Sequence, residues 1–267
     1  MSWPVMVFDI ESIPDMAGMR ALGLAQGDDD AQAHAAWLAQ RTAEGKSDFA
    51  PLHLQRVLVI SCVFRNAEGL RIHSFVDRES EGQSQEGKII QTFFNTLEKH
   101  VPQLVSWNGG GFDLPVLHYR GLKHGVVASK YWDMGDGGDH DSREFKWNNY
   151  ISRYHMRHLD LMDLLAMYTP KNNAPLDGLA KLCGFPGKLG MDGSAVYGAY
   201  KDGKLEDIRR YCETDVMNTY LLYCRFQKMR GGMLEAEYTQ EIDFIKSQLA
   251  ALAPTEPHWQ EYLAAWG

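Results

Sequence analysis

The stretch Val5-Met6-Val7-Phe8-Asp9-Ile10-Glu11 decides the fold of this chain. Its four leading apolar residues are too few for a helix and read as a buried strand. Two carboxylates follow. Side chains two apart on a strand point to the same face, so Asp9 and Glu11 project together. Either the strand has ended and both acids are solvated at its tip, or something positive sits between them.

Working outward, residues 15 to 50 are rich in Ala, Gln and Asp and read as helical pieces on the surface. Val57 to Phe64 reads as a second strand. Leu70 to Val76 alternates and reads as a third, joined through Asn66-Ala67-Glu68-Gly69. Residues 86 to 100 carry Ile89, Ile90, Phe93, Phe94 and Leu97 at helical spacing. Leu104 to Trp107 reads as a fourth strand, and Leu159 to Leu165 as a fifth running into a helix. The last hundred residues read as mainly helical, the longest stretch being Leu205 to Arg230. This order implies an α/β domain with a mixed central sheet. With no convincing linker, residues 1–267 form one domain. It carries the surface insertion and a helical C-terminal extension from Leu234 to Trp266, which packs on the domain or projects from it toward a protein partner or a second copy.

The chain has 267 residues, 45% hydrophobic, which is enough for one sizeable core and excludes global disorder. Lys and Arg number 27 against 35 Asp and Glu, a net charge of −8. Binding nucleic acid by bulk charge normally needs a basic protein, so the sum argues against it. Cys62, Cys183, Cys212 and Cys224 show no zinc-ligand spacing and suit a reducing compartment. Met1-Ser2-Trp3-Pro4 does not read as a signal peptide, and no apolar run approaches the ~20 residues that span a bilayer. A cytoplasmic protein with no membrane contact is expected.

Two further segments carry acids. After the fourth strand comes Asn108-Gly109-Gly110-Gly111-Phe112-Asp113, at a strand end where α/β sheets place ligands. Glycines there allow close backbone approach, and Asp113 before Pro115 reads as a helix N-cap. On the long late helix, Tyr211 and Asp215 are four apart and share a face. Four carboxylates converging on one pocket would repel unless divalent cations sat there. Oxygen-only ligands suit Mg²⁺ or Mn²⁺, and two such ions are the arrangement for in-line phosphodiester chemistry, with Tyr211 orienting the water.

These residues carry a resemblance. Phe8-Asp9-Ile10-Glu11, Asn108 to Asp113 and Tyr211 to Asp215 resemble the three motifs of the 3′–5′ proofreading exonuclease domain of family B DNA polymerases, the DEDDy class of the ribonuclease H-like superfamily. The segments His158 to Leu165, Gly184 to Lys188 and Tyr211 to Tyr223 look closer still to bacterial stand-alone predicted exonucleases related to that domain. The resemblance implies a ribonuclease H-like five-stranded sheet and a metal-dependent 3′–5′ exonuclease acting on single-stranded nucleic acid ends, alone or in trans. It implies Asp9, Glu11 and Asp215 on one Mg²⁺ or Mn²⁺ ion, Asp9 with Asp113 on a second, and Tyr211 positioning water. Asn108 and Phe112 would contact the terminal nucleotides, unless Phe112 simply packs under the loop.

Residues 145 to 158 interleave aromatics with Lys146, Arg153 and Arg157. That suits a single-strand groove in which Arg153 and Arg157 steer the strand, or a hairpin packed on the core. Asp163 reads as a helix cap, and Asp160 as structural or as a support behind the ligating acids. The loop from Asp133 to Asp141 lacks calcium-loop spacing and reads as solvated, and the loop from Gly184 to Ser194, with its Lys188, could touch a phosphate but reads first as a plain connection between helices. Three rivals remain at this level: an exoribonuclease, a catalytically silent nucleic-acid-binding module, and a metal-dependent phosphatase or small-nucleotide hydrolase.

Overall fold

The first strand does not stop at its acids. In the computed structural model, which describes residues 4–79, 83–137 and 143–266, β1 is Val5–Pro14. The other strands are β2 (Gln55–Asn66), β3 (Gly69–Val76), β4 (Gln103–Ser106) and β5 (His158–Asp160). They form one sheet in the order β3-β2-β1-β4-β5. β1 pairs antiparallel with β2 and parallel with β4, so Asp9 and Glu11 sit on the central strand, paired to Ser61 and Val59. The register shifts just after Glu11, where a bulge bends the strand.

The insertion after β1 holds α1 (Met16–Ala21) and α2 (Asp30–Ala43). Both are capped by aspartates, Asp15 and Asp29. They are more than surface pieces, because Met16, Met19, Trp37 and Leu54 form a small core of their own. Next come α3 (Glu86–His100) and α4 (Asp113–His124) on one face of the sheet. Then follow α5 (Leu161–Leu165), α6 (Leu176–Leu182), α7 (Val196–Lys201), α8 (Leu205–Met229), α9 (Glu235–Leu252) and α10 (His258–Ala264).

Strand parity sorts β1 between two cores. Met6, Phe8 and Ile10 pack with Phe93, Leu97 and Leu117 of α3 and α4. Val5 and Val7 pack with Val216, Met217 and Leu221 of α8. Asp9 and Glu11 share the parity of Val5 and Val7, so they face α8. That helix is buried nearly all round from Tyr211 to Cys224, so its polar side chains must find partners inside the protein. The sheet order, with helices on both faces, is the ribonuclease H-like arrangement.

The C-terminal helices pack rather than project. Ile245, Leu249, Trp259 and Tyr262 are at most 1% exposed and join the core layer of α8. Among the described residues no helix is long and apolar enough to cross a membrane. The segment from 145 to 158 is not a hairpin. It opens with a 3-10 turn (Arg143–Lys146) and buries Phe145 and Tyr150. Of the loop expected from Asp133 to Asp141, residues 138 to 141 lie outside the described residues, as do residues 1–3 and Gly267.

Candidate active site

The site is assembled by three elements that meet at β1. The backbone N–H of Ile10, between the two acids, donates to Oδ1 of Asp113 at 3.0 Å. Asp113 is therefore hooked to the middle of the acid pair. It is not the cap of α4, as expected: Phe112 holds the N-cap position, and Asp113 is the first helical residue, 3% exposed. A capping carboxylate would turn back on its own helix, whereas this one reaches across to the strand.

The loop before it is tightly held. Asn108 adopts a left-handed φ of 66°. A Cβ on Gly109 would lie 2.3 Å from Ser106 Oγ and 2.5 Å from Ser106 Cβ, so a side chain is excluded there, and one on Gly111 would lie 2.5 Å from Asn108 Oδ1 and displace that side chain. Asp160, at the end of β5, accepts from Asn108 N at 3.0 Å and from Gly110 N at 2.9 Å. It also caps α5 by accepting from Asp163 N at 3.2 Å, the position that sequence reasoning gave to Asp163. Asp163 instead pairs with Arg153 at 2.7 Å.

From the other side, α8 supplies Tyr211, Cys212 and Asp215. Ligand atoms of Asp9, Glu11 and Cys212 all lie within 4.8 Å of one another. The Cys212 thiol is 3.6 Å from Asp9 Oδ2. Asp113 and Asp215 adjoin this group, one through Ile10 and the other through a residue the sequence reading set aside. Lys188 places its ammonium 2.8 Å from Asp215 Oδ2, donates to the Tyr211 hydroxyl, and lies over that ring at 4.9 Å. Its loop is no plain connection. Lys188 N donates to Asp177 Oδ1 at 2.7 Å, and Asn218 Nδ2 donates to Gly187 O at 2.8 Å. Asn218 Oδ1 in turn accepts from Gly187 N at 3.2 Å and from Tyr262 Oη at 2.7 Å, which ties the C-terminal helix α10 to the site.

Glu11, Asp113 and Asp215 are buried and Asp9 partly so. Burial pushes the Asp9 carboxyl well above its usual range, and Asp113, Glu11 and Asp215 add repulsion that Lys188 opposes. Glu11 is raised by burial and then by Asp215, again against Lys188. Asp113 is pushed up to about 7 by burial, despite the bond from Ile10. Asp215 is raised by burial against the pull of Lys188. One ammonium thus faces Asp9, Glu11 and Asp215, Asp113 adds a fourth carboxylate beside Asp9, and Oδ1 of Asp215 is buried without a hydrogen-bond partner. An orphaned carboxylate oxygen in an oxygen-rich, over-acidic pocket fits a divalent cation of the Mg²⁺ or Mn²⁺ type. Cys212 does not change that class, because burial and Asp9 hold its thiol protonated.

The expected substrate contacts divide. Asn108 and Phe112 flank the acid loop, and the half-buried Phe112 ring meets Phe49 at 5.7 Å between centroids. Arg153 is half exposed but already forked onto Asp163 and stacked over Tyr168 at 5.1 Å. Arg157, expected to steer the strand, is 3% exposed. It is bonded to Glu144 and Asn148 O and lies over Phe145 at 4.6 Å, so it braces the core and does not face solvent.

No curated protein matches the chain. A family model, for predicted 3′–5′ exonucleases related to the exonuclease domain of PolB, matches residues 47–266. That span includes Asp113, Lys188, Tyr211 and Asp215 and starts after Asp9 and Glu11, which the central strand brings to the same place. With most of its length matched, the chain belongs to this family of predicted 3′–5′ exonucleases.

Proposed function

We propose that the protein is a divalent-cation-dependent 3′–5′ exonuclease that hydrolyses the terminal phosphodiester of single-stranded nucleic acid, DNA in the first instance. The observation that carries this reading is the cluster of four carboxylates held together against their own repulsion, with Asp215 Oδ1 unpartnered at its edge. Asp9, Glu11 and Asp215 would hold one Mg²⁺ or Mn²⁺ ion, and Asp9 with Asp113 a second. Such ions supply positive charge to the phosphate oxygens and acidify water.

The remaining chemistry belongs to this chain. Tyr211 keeps its proton, since burial and Asp215 raise its phenol. Its hydroxyl can therefore donate to one group while it orients a water at the acid pair. Lys188 fixes that hydroxyl and brings positive charge to where phosphate charge develops. Asp160 holds the backbone of Asn108 and Gly110, and Ile10 N–H holds Asp113, in place before substrate arrives.

The test uses 5′-labelled single-stranded DNA and RNA of one sequence, with Mg²⁺, Mn²⁺ or EDTA, beside Asp9→Ala. A metal-dependent ladder shortening from the 3′ end, lost in the variant, is the expected result. Absence of a ladder on both polymers overturns the proposal, and a ladder on RNA alone changes the substrate to RNA.

A further inference from the structure

The insertion between β1 and β2 does something the three acid segments do not require. It places Phe49 against the ring of Phe112, next in sequence to Asp113. The backbone beside Phe49 is rigidly tied: Ala50 O accepts from Gln55 Nε2 at 2.9 Å, and Gln55 Oε1 accepts from Ser12 Oγ at 3.1 Å. Ser12 is the residue after Glu11. Phe49 is thus fixed to the acid strand on one side, while its ring meets Phe112, the residue before Asp113, on the other. Yet Phe49 is 55% exposed. An aromatic ring that is anchored, open to water and adjacent to the acids is poorly explained by packing alone.

The pair does not stand alone. Tyr119 lies seven residues after Phe112 on the exposed face of α4, two helical turns or about 10 Å further along. It is 48% exposed and meets the exposed His53 edge-on at 6.2 Å between centroids. Two ring pairs therefore run outward from the acids, one ring of each coming from α4 or its N-cap and the other from residues 49–53. Exposed π-faces in series suit unpaired nucleobases, because bases in a duplex already have both faces covered. They also suit this protein's charge. A chain of net charge −8 gains little from bulk charge in holding a strand, and stacking does not depend on it. The alternative track past Arg153 is weaker, since that guanidinium is already engaged by Asp163 and Tyr168.

We infer that Phe49 with Phe112, continued by His53 with Tyr119, forms a stacking seat for the last unpaired bases of a single strand whose 3′ end lies at Asp9 and Glu11. This rests on the nuclease reading for the position of the end, and it makes the insertion the element that selects single strands.

The experiment measures binding, so it does not depend on turnover. Fluorescence anisotropy with 5′-fluorescein octathymidylate, in Ca²⁺, is compared with the same oligomer carrying abasic residues at its two 3′-terminal positions. Wild type should bind the abasic oligomer about tenfold more weakly, a base-stacking effect of the usual size. Phe49→Ala should lose about tenfold on the full oligomer and show almost no further loss on the abasic one. Phe49→Trp should restore wild-type behaviour, and a melting curve for each variant shows that the fold is kept. Tyr119→Ala should weaken the full oligomer by a smaller factor. If Phe49→Ala binds the full oligomer within about twofold of wild type, or suffers the same abasic penalty, the seat is wrong. If wild type binds neither oligomer, the seat is likewise wrong. The ladder assay above decides the nuclease reading separately.

Discussion

Replacing Asp113 by asparagine should make the metal-free protein more stable at pH 8, although it damages the site. The side chain keeps its shape, and its Oδ1 can still accept from Ile10 N. What it loses is a charge that the fold resists. The Asp113 carboxyl is pushed from an ordinary value of 3.8 to about 7, mainly by burial. That is about three pH units at about 1.4 kcal/mol each, or roughly 4 kcal/mol. The sign follows from which state holds the proton. Below about pH 4 the carboxyl is protonated in both states and the difference vanishes. Between about 4 and 7 the unfolded chain releases the proton while the folded one keeps it, so stability falls as pH rises. Above about 7 the full cost is present. For a domain near this size 1 kcal/mol moves the melting temperature by about 2–4 °C, so Asp113→Asn should melt on the order of 10 °C above wild type at pH 8 in EDTA. At pH 4 the two should coincide. In saturating Mn²⁺ the order should narrow or reverse, because only the wild type gains the full ligand set. Melts followed by circular dichroism from pH 4 to 8, with and without Mn²⁺, give all three comparisons. If the variant melts at or below wild type at pH 8 in EDTA, or keeps its advantage at pH 4, the reasoning about repelling acids is refuted.

Three more expectations follow from single contacts. Lys188→Met removes the cation that bridges Tyr211 and Asp215, so the metal-free melting temperature at pH 8 should drop while the rise caused by Mn²⁺ grows; a smaller rise contradicts Lys188 as the acids' counter-charge. Asp160→Asn replaces one acceptor facing Asn108 or Gly110 by a donor and should cost about 1–3 kcal/mol in urea denaturation; an unchanged midpoint means the loop is held by other contacts. Arg157→Ala should lower stability and leave the salt slope of strand binding as it was, and a reduced slope would return Arg157 to the phosphate track.

Much of this was legible in the sequence because it lay in local pattern. The alternation of β1 put Asp9 and Glu11 on one face, and four-residue spacing put Tyr211 and Asp215 on one face of α8. The five strands followed from apolar runs and turn residues. What escaped depended on contacts between distant segments. Asp113 read as a cap because aspartate before proline at a helix start usually is one, and only the 3.0 Å bond to Ile10, 103 residues away in sequence, shows otherwise. Lys188 looked like an ordinary loop lysine because nothing local marks it. Its position comes from Asp177, Asn218 and, through Asn218, Tyr262 of the last helix. Arg157 carried the right chemistry for phosphate, but charge and spacing say nothing of burial, and the Phe145 ring and Glu144 claim it. One signal for Lys188 was available: a lone cation in a glycine-punctuated loop of a chain in which acids outnumber bases by 35 to 27.

The central claim is that the acid cluster is a cation-loaded centre that removes the 3′-terminal nucleotide. It is tested most directly by following release of a 3′-terminal 2-aminopurine from a single strand as Mn²⁺ is titrated, for wild type and Asp9→Ala. Release should rise to saturation with Mn²⁺, stop on addition of EDTA, and be absent from Asp9→Ala at every Mn²⁺ concentration. Release that persists in EDTA, or that Asp9→Ala supports at the wild-type rate, would contradict the account.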